Sequence, residues 1–415
     1  MRCSTWAWGL QVTAKRIVYL GGGACTLVSL RRISEEARKS GIEVENVIVT
    51  NSEWHYFPAF FPDVALGGAE PEDVHAPVRN IAEAYGARLV LDEVVKVDPG
   101  ERIVETAKGE RISYDYLFIC LGTRYAWEEY PGLREAAVHN YTLDGALEMR
   151  KALAAFKGGD IVVLVPEFPH RCPGYPFEVL GRLVYHARRR GVKARVKLVH
   201  VVPLEVALEH LYDLAVSWHR IHGEIGDIEY VMGKQVERVD PGSKTIYFRD
   251  GESMRYDLLI AAPPARPPKP LEGSEFVWKK DPRFLETTFP TFRSRGYDDV
   301  FIPTDSAMPS VNLPFAGVPV HYAAVAAADT VLADLKGASG PILFPDSLTI
   351  VLDFGKTGVA VVFDVDDAGD GTARAKPYVA ATHPMIKLLK YSFYKGWIKA
   401  VKELTGQPPH MRILV

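Results

Sequence analysis

No stretch of this 415-residue chain approaches the roughly 18 consecutive apolar residues that a membrane-crossing helix needs. Cysteine is scarce. The four, Cys3, Cys25, Cys120 and Cys172, are scattered without a C-x-x-C pair, so neither a disulfide framework nor a zinc or other metal site is indicated, and an intracellular, reducing setting is the expectation. A basic excess is also missing: 49 Lys and Arg against 52 Asp and Glu give a formal charge of -3, which excludes the phosphate-neutralising surface of a nucleic-acid protein. Glutamine and asparagine are few beside Arg, Lys, Glu and Pro, a composition that suits a thermophile. Residues 1–14 contain Trp6 and Trp8 but no h-region or cleavage site, and read as an N-terminal extension or an upstream start rather than a signal peptide.

What is present is ordinary globular composition, 47 % hydrophobic and 24 % charged, over a length that allows two or three domains with real cores. The organising stretch is 15–32. Ile17 to Leu20 form a short apolar strand, Gly21, Gly22 and Gly23 a turn, and the sequence from Ala24 has helical composition with an apolar face at Leu27, Leu30 and Ile33. A strand, a glycine turn and a helix N-terminus make a phosphate site, because the backbone can approach a diphosphate and the free amides favour its charge. Gly21 and Gly23 match the first two glycines of G-x-G-x-x-G, and Thr26 takes the place of the third, its Cβ and methyl holding helix and strand further apart. The next strand, 47–50, ends in Asn51 rather than an acid for the ribose hydroxyls, and Leu121-Gly122 supplies a second glycine-containing strand end. An ordinary strand-turn-helix is the alternative.

The aromatic segment 54–68 is interrupted by Pro58 and Pro62, which should prevent a continuing helix and expose ring faces on a stiff loop. It is either an inter-domain packing loop or a wall beside a flat cofactor. The chain then repeats itself: 94–122 resembles 236–264, each with an Asp-Pro-Gly turn (Asp98 to Gly100, Asp240 to Gly242) and a Tyr-Asp pair before the last strand (Tyr114-Asp115, Tyr256-Asp257). Turn signals between β-branched runs indicate a small antiparallel meander, and its recurrence implies two related dinucleotide-type units. The second unit opens with the strand 160–165, but its turn reads Pro166-Glu167-Phe168-Pro169-His170-Arg171-Cys172. Proline has no amide for a phosphate and Glu167 would repel one, so a nicotinamide cofactor is not expected there.

Asp305, after the strand 299–302, is either an acceptor for a ribityl chain or a helix cap, and precedes an apolar helix at 323–335. Residues 348–363 are strand-rich with a turn at 355–358, and an acidic glycine loop follows at 364–372. From 383 to 405, Lys387, Lys390, Lys395, Lys399 and Lys402 interleave with Leu389, Tyr391, Phe393, Tyr394 and Trp397. That pattern suits either a helix lying among lipid headgroups or a terminal helix docked on its own domain with its lysines in water.

These residues resemble the sulfide:quinone oxidoreductase and flavocytochrome c sulfide dehydrogenase family. Arg171-Cys172-Pro173-Gly174-Tyr175-Pro176-Phe177-Glu178 is similar to its C-P-x-x-P-Y-E loop, and Phe57-Pro58-Ala59-Phe60-Phe61-Pro62 to its proline segment near the flavin. Thr304-Asp305-Ser306-Ala307 is similar to its G-D-A-A motif, Asp353-Phe354-Gly355-Lys356-Thr357-Gly358 to a C-terminal-domain segment, and the last helix to its monotopic anchor. The resemblance implies an α/β fold of two tandem Rossmann-like dinucleotide-binding domains, each with an inserted β-meander, plus a C-terminal α+β domain ending in an amphipathic helix. The expected divisions are 15–145 (FAD-binding type), 146–270 (cysteine loop), 271–340 (return to the first domain) and 341–415.

It further implies non-covalent FAD held by Gly21, Gly22, Gly23, Ala24, Asn51, Pro58, Val94, Gly122, Asp305 and Pro319. Cys172 and Glu178 are the implied catalytic residues, a nucleophilic thiol whose pKa Arg171 and His170 depress and a proton carrier, with helix-start stabilisation the alternative for Glu178. Sulfide or a small sulfur compound and a quinone are the implied partners. The implied location is the cytoplasmic face of a membrane, touched through the last helix of a homo-oligomer, or else the cytoplasm. Departures are plain: no cysteine follows Cys172, none stands at 140–142, and Gly317-Val318-Pro319 runs into Val320 and His321 where the family has lysine. Cys25 and Cys120 read as small buried residues. A divergent, non-catalytic binding or scaffold subunit without flavin therefore stays open, as does, less favoured, an NADH:quinone oxidoreductase.

Overall fold

The computed structural model describes residues 14–338 and 340–404. The extension read at 1–14 thus falls, except for its last residue, outside the described residues, as does the chain beyond 404. In the strand Lys15–Leu20, Ile17, Val18, Tyr19 and Leu20 are all fully buried, as a strand covered on both faces must be. It lies inside a seven-stranded sheet in the order Thr287–Thr288, Arg293–Ser294, Tyr297–Phe301, Tyr116–Ile119, Lys15–Leu20, Val44–Thr50, Arg88–Leu91. The last five strands of that order are parallel. The chain returns to this sheet after the second unit, so the strand before Asp305 pairs with Tyr116–Ile119. Its helix Gly317–Lys336, longer than the sequence pattern indicated, packs along Ala24–Lys39, where Ser29 Oγ donates to the Ala324 carbonyl.

The second sheet is fully parallel, in the order Ala137–Val138, Leu258–Ala261, Gly159–Val165, Ala194–His200, Ile228–Met232. In both sheets the strand order reverses beside the first strand of the unit. The turn at Gly21 and the loop after Val165 therefore open at topological switch points, where open α/β sheets bind ligands. Both meanders are present as three-stranded antiparallel sheets, and both carry a register shift at the same place, between Val94 and Lys96 and between Val236 and Arg238. The C-terminal part is a three-stranded antiparallel sheet, Ser347–Asp353, Gly358–Asp367 and Ala373–His383, followed by the helix Ile386–Lys402.

Two expectations are corrected here. The segment after Trp54 is not an exposed aromatic loop: Phe61–Ala65 is helical, because a proline in the first turn removes an amide that would be unpaired anyway. Phe57, Phe60 and Phe61 are buried, the first two against Phe393, Tyr394 and Trp397 or Tyr391 and Tyr394 of the last helix. Second, Cys25 and Cys120 are buried but not free; they form a disulfide across 95 residues of chain. Cys25 is in the first turn of Ala24–Lys39 and Cys120 follows the neighbouring parallel strand. That adjacency comes from the strand order, so the spacing of the cysteines along the chain carries no sign of it.

Closing a loop of this length restricts the unfolded chain, typically by about 2–4 kcal/mol. Replacing Cys25 and Cys120 together by alanine is expected to lower the unfolding free energy by about that amount in urea titration. Thiol titration of the unreduced, unfolded protein should find Cys3 and Cys172 reactive and the pair Cys25 and Cys120 silent.

Candidate functional site

Gly21 has φ +101°, and a Cβ there would lie 2.6 Å from the Cys120 carbonyl oxygen, so the turn passes this close only as glycine. At Gly22 a Cβ would meet Val78 and Thr50, whereas at Gly23 nothing stands within 4 Å. Gly23 caps the helix beginning at Ala24 without any side chain on the free amides. Thr26, at the place of the third glycine, turns its hydroxyl back and donates to the Gly21 carbonyl at 2.6 Å, adding a tie between helix and turn. A second tie comes from His55, which is fully buried: its Nδ1 donates to the Gly22 carbonyl at 2.9 Å and its Nε2 accepts from Trp397 Nε1 at 2.9 Å. This relay fixes a neutral ring, and burial brings the His55 pKa down to about 4.

The other glycine strand end is locked to the Asp305 segment. Gly122 N–H donates to Thr304 Oγ1 at 3.0 Å and Ser306 Oγ donates to the Gly122 carbonyl at 2.8 Å. Asp305 begins the short helix Asp305–Val311, with Thr304 as its capping position. Its Oδ2 accepts from Arg171 Nε at 2.7 Å, and its Oδ1 is buried with no donor among the described residues. Unpaired buried acceptors are rare in proteins. A bare helix N-terminus, an uncovered glycine backbone and a buried carboxylate oxygen awaiting a donor together fit a dinucleotide with a polyol chain, such as FAD.

The cysteine loop closes over this region. Cys172 donates its backbone N–H to the Phe315 carbonyl at 2.5 Å, two residues before the helix Gly317–Lys336 that holds Pro319. Its φ is +57°, a conformation that costs a residue with a Cβ about 1 kcal/mol and persists where the surroundings dictate it. Arg171 carries the loop: besides Asp305 it reaches the Tyr125 hydroxyl at 2.5 Å, and Tyr141 OH donates to the Arg171 carbonyl at 3.2 Å. The expected depression of the thiol pKa is reversed. Burial, then the Glu178 carboxylate, push Cys172 up to about 11, with Lys390 and Arg171 pulling the other way, while His170 is itself held neutral by burial.

Glu178, in the first turn of Tyr175–Arg189, belongs to a charge network that the sequence did not reveal. It pairs with Lys390 of the last helix, and Arg182 reaches Glu178 at 3.3 Å, Asp63 at 2.6 Å and Asp353 at 4.0 Å. Tyr391 OH donates to Asp353 at 2.8 Å. All five charged side chains are buried. Lys390, read from the sequence as one of a row of solvated lysines, loses hydration on burial, yet Glu178 keeps its pKa above the ordinary lysine range.

The structure thus links the turn at Gly21 to the strand end before Gly122, Gly122 to the residues flanking Asp305, and Asp305 to Arg171 beside Cys172. Glu178 lies in the first turn of the helix that follows, Pro319 just beyond Phe315, and Pro58 opens the turn Pro58–Phe60 beneath the last helix. Asn51 is exposed at the end of its strand, and Val94 is buried in the apolar cluster of Val18 and Ile119. In the second unit, Glu167 accepts from the Ala265 amide at 2.9 Å and pairs with Arg266, so the strand end where a nicotinamide cofactor would bring its phosphates already carries a committed carboxylate. A cavity of about 590 Å³ beside it, lined by Glu167, Phe168, Arg249 and Arg283 among others, includes neither Cys172 nor Asp305.

Comparison with known proteins is consistent with this arrangement. The family model described as the central part of the sulfide dehydrogenase [flavocytochrome c] flavoprotein chain matches residues 146–263. The chain is similar to the mitochondrial sulfide:quinone oxidoreductase of Mus musculus, 29% identical over 202 residues, 46% of this chain and 43% of that protein. The type II NADH:quinone oxidoreductase of Staphylococcus epidermidis is 26% identical over 137 residues, 33% of each chain. The sequence matches to the mouse protein and to the sulfide-quinone reductase of Aquifex aeolicus thus span less than half the length of either relative. In structure, the fold superposes on the sulfide:quinone oxidoreductase of Aquifex aeolicus with TM-score 0.77 at 19% identity, covering 96% of this chain and 93% of that one.

Lys390 offers a test of this geometry. Lys390→Met leaves the buried Glu178 with Arg182 as its one remaining cation among the described residues, and breaking a buried pair typically costs about 3–5 kcal/mol. The same change removes a positive charge that lowers the Cys172 pKa, so the pH midpoint of Cys172 alkylation, about 11 in the parent, should rise further. A midpoint in the ordinary thiol range in the parent would contradict the raised pKa of the thiol and the part of Glu178 in it.

Proposed function

Because the chain belongs to the family of sulfide:quinone oxidoreductases and flavocytochrome c sulfide dehydrogenases, we propose that it is a flavin-dependent oxidoreductase of the sulfide:quinone type. In this reading Gly21, Gly22, Gly23 and Ala24 hold the diphosphate of FAD, Asn51 lies at the ribose, and Pro58, Val94, Gly122, Asp305 and Pro319 line the rest. When bound, FAD supplies the acceptor for two electrons and passes them to a quinone. The observation that carries the reading is the closure of the Cys172 loop onto the Asp305 and Phe315 segment of the other unit.

Cys172 then serves as the sulfur carrier. An S–S bond forms between its Sγ and the sulfur of hydrosulfide, with release of one proton and two electrons. Since the thiol is protonated at neutral pH, with a pKa of about 11, a base must take its proton at the moment of bond formation. Glu178 is the carboxylate placed for it, and Lys390 and Arg182 hold that carboxylate in position. A nicotinamide cofactor is disfavoured by Pro166, Pro169 and the committed Glu167.

The purified protein should be yellow, with an oxidised-flavin absorbance that sulfide bleaches and NADH does not. Cys172→Ser should slow the sulfide bleaching by at least about 100-fold, the scale of a lost nucleophile. A colourless protein that cannot be reconstituted with FAD would leave the non-catalytic binding or scaffold reading, and bleaching by NADH would favour the NADH:quinone alternative.

The membrane side of the proposal rests on the last helix. Its inner face docks through Trp397, Ile398 and Val401, while Leu388, Leu389, Phe393 and the preceding Met385 are exposed beside Lys395 and Lys399. No helix among the described residues is long and apolar enough to cross a membrane. An apolar strip with flanking lysines suits the interface of an anionic bilayer, such as the cytoplasmic face, and a homo-oligomer would present several copies at once. Flotation with anionic liposomes is expected for the parent chain and should be lost in a Met385→Ser, Leu388→Ser, Leu389→Ser variant whose melting temperature is unchanged.

A further inference from the structure

Arg171 is held on one side and open on the other. Its Nε and Nη1 are committed to Asp305 and to the Tyr125 hydroxyl, which in turn donates to the Tyr141 carbonyl at 3.3 Å. Its Nη2 donates to nothing among the described residues, and the side chain keeps 22 % of its surface exposed. Beside it, Asp305 Oδ1 is buried without a donor among the described residues. The ion pair therefore presents one unused donor and one unused acceptor, from two different units of the chain, next to the Gly122 strand end that Thr304 and Ser306 clamp. The residue is rigidly placed: it adjoins Cys172, whose amide is tied to Phe315, and its own carbonyl is tied to Tyr141.

We propose that Arg171 is the cation of the flavin site, a positioning residue whose free Nη2 favours the extra negative charge of the reduced cofactor over the oxidised one. This rests on the reading that the first unit binds FAD. A guanidinium fixed in a partly buried setting cannot lose its proton and is weakly screened, so it discriminates between two charge states of a neighbour more than a solvated lysine would. Asp305 sets the size of the effect, since its carboxylate offsets part of the arginine's charge while holding it in place. The two residues should consequently act on the cofactor with opposite sign.

The test is the midpoint potential of the FAD-loaded protein by dye equilibration, together with the dissociation constant of oxidised FAD. Arg171→Gln is expected to weaken reduced FAD relative to oxidised FAD at least tenfold, a fall of about 30 mV for a two-electron couple. Asp305→Asn, which leaves the guanidinium less compensated, should move the potential upward. Arg171→Lys, which keeps the charge, should hold the ratio within about twofold of the parent. A residue with only a structural role would weaken both forms of FAD equally or shift both variants in one direction.

If Arg171→Gln does not fold, Arg171→Lys and Asp305→Asn decide the matter by themselves. An unmoved ratio in Arg171→Gln, or a downward shift in Asp305→Asn, in proteins that load FAD as the parent does, overturns this assignment alone. A parent protein that takes up no FAD overturns the flavoprotein reading and this assignment with it.

Discussion

Five buried charges hold three parts of this molecule in register. Asp63 comes from the segment after the second strand of the first sheet, Glu178 and Arg182 from the helix behind the cysteine loop, and Asp353 and Lys390 from the C-terminal part. Three carboxylates face two cations, so the network carries a surplus negative charge. Such an arrangement is poor at adding stability, because the desolvation of each ion consumes much of what pairing returns. What it does well is fix relative position, since an ion moved out of place is left buried and unpaired. The thiol of Cys172 feels the surplus directly: Glu178 adds to burial in raising its pKa, and Lys390 restrains the rise.

The same logic explains how a weakened glycine motif still makes an ordered turn. Where a third glycine would let helix and strand approach, Thr26 supplies a hydroxyl to the turn, the disulfide joins Cys25 to the neighbouring strand end, and His55 links Gly22 to Trp397. Each is a directional or covalent tie in place of a close van der Waals approach. The His55 link also makes the turn depend on the last helix. The helix that resembles a membrane anchor is therefore part of the first unit's architecture on one face, while its other face is free to meet something else.

Much of the fold was legible because it repeats. Two meanders with the same turn chemistry, each preceding a Tyr-Asp strand, implied two related units, and even their register shifts coincide. The apolar strands, the glycine turn and the cysteine loop were readable from local pattern. What was not readable depends on pairs distant in the chain. Cys25 meets Cys120, Glu178 meets Lys390 and Asp305 meets Arg171 only because strands adjoin out of sequence order. Local context misled in two places. A basic neighbour suggested an acidic thiol at Cys172, but burial outweighs it; a row of lysines suggested solvation for Lys390, but the facing helix brings Glu178.

The two strand ends divide the chemistry between them. At the first, backbone amides and an uncovered turn remain available to an anion; at the second, proline and a carboxylate already bound to Arg266 remove that option. A duplicated unit that bound a second nucleotide would keep its amides exposed. Here the second loop instead runs across to the first unit, where Arg171 takes hold of Asp305 and the backbone of Cys172 takes hold of Phe315. The stretch that lacks a phosphate turn and the stretch that bridges the two units are therefore one and the same. The proline-rich sequence that cannot cradle a phosphate is also stiff enough to hold a cysteine in a left-handed backbone conformation at the seam between the units.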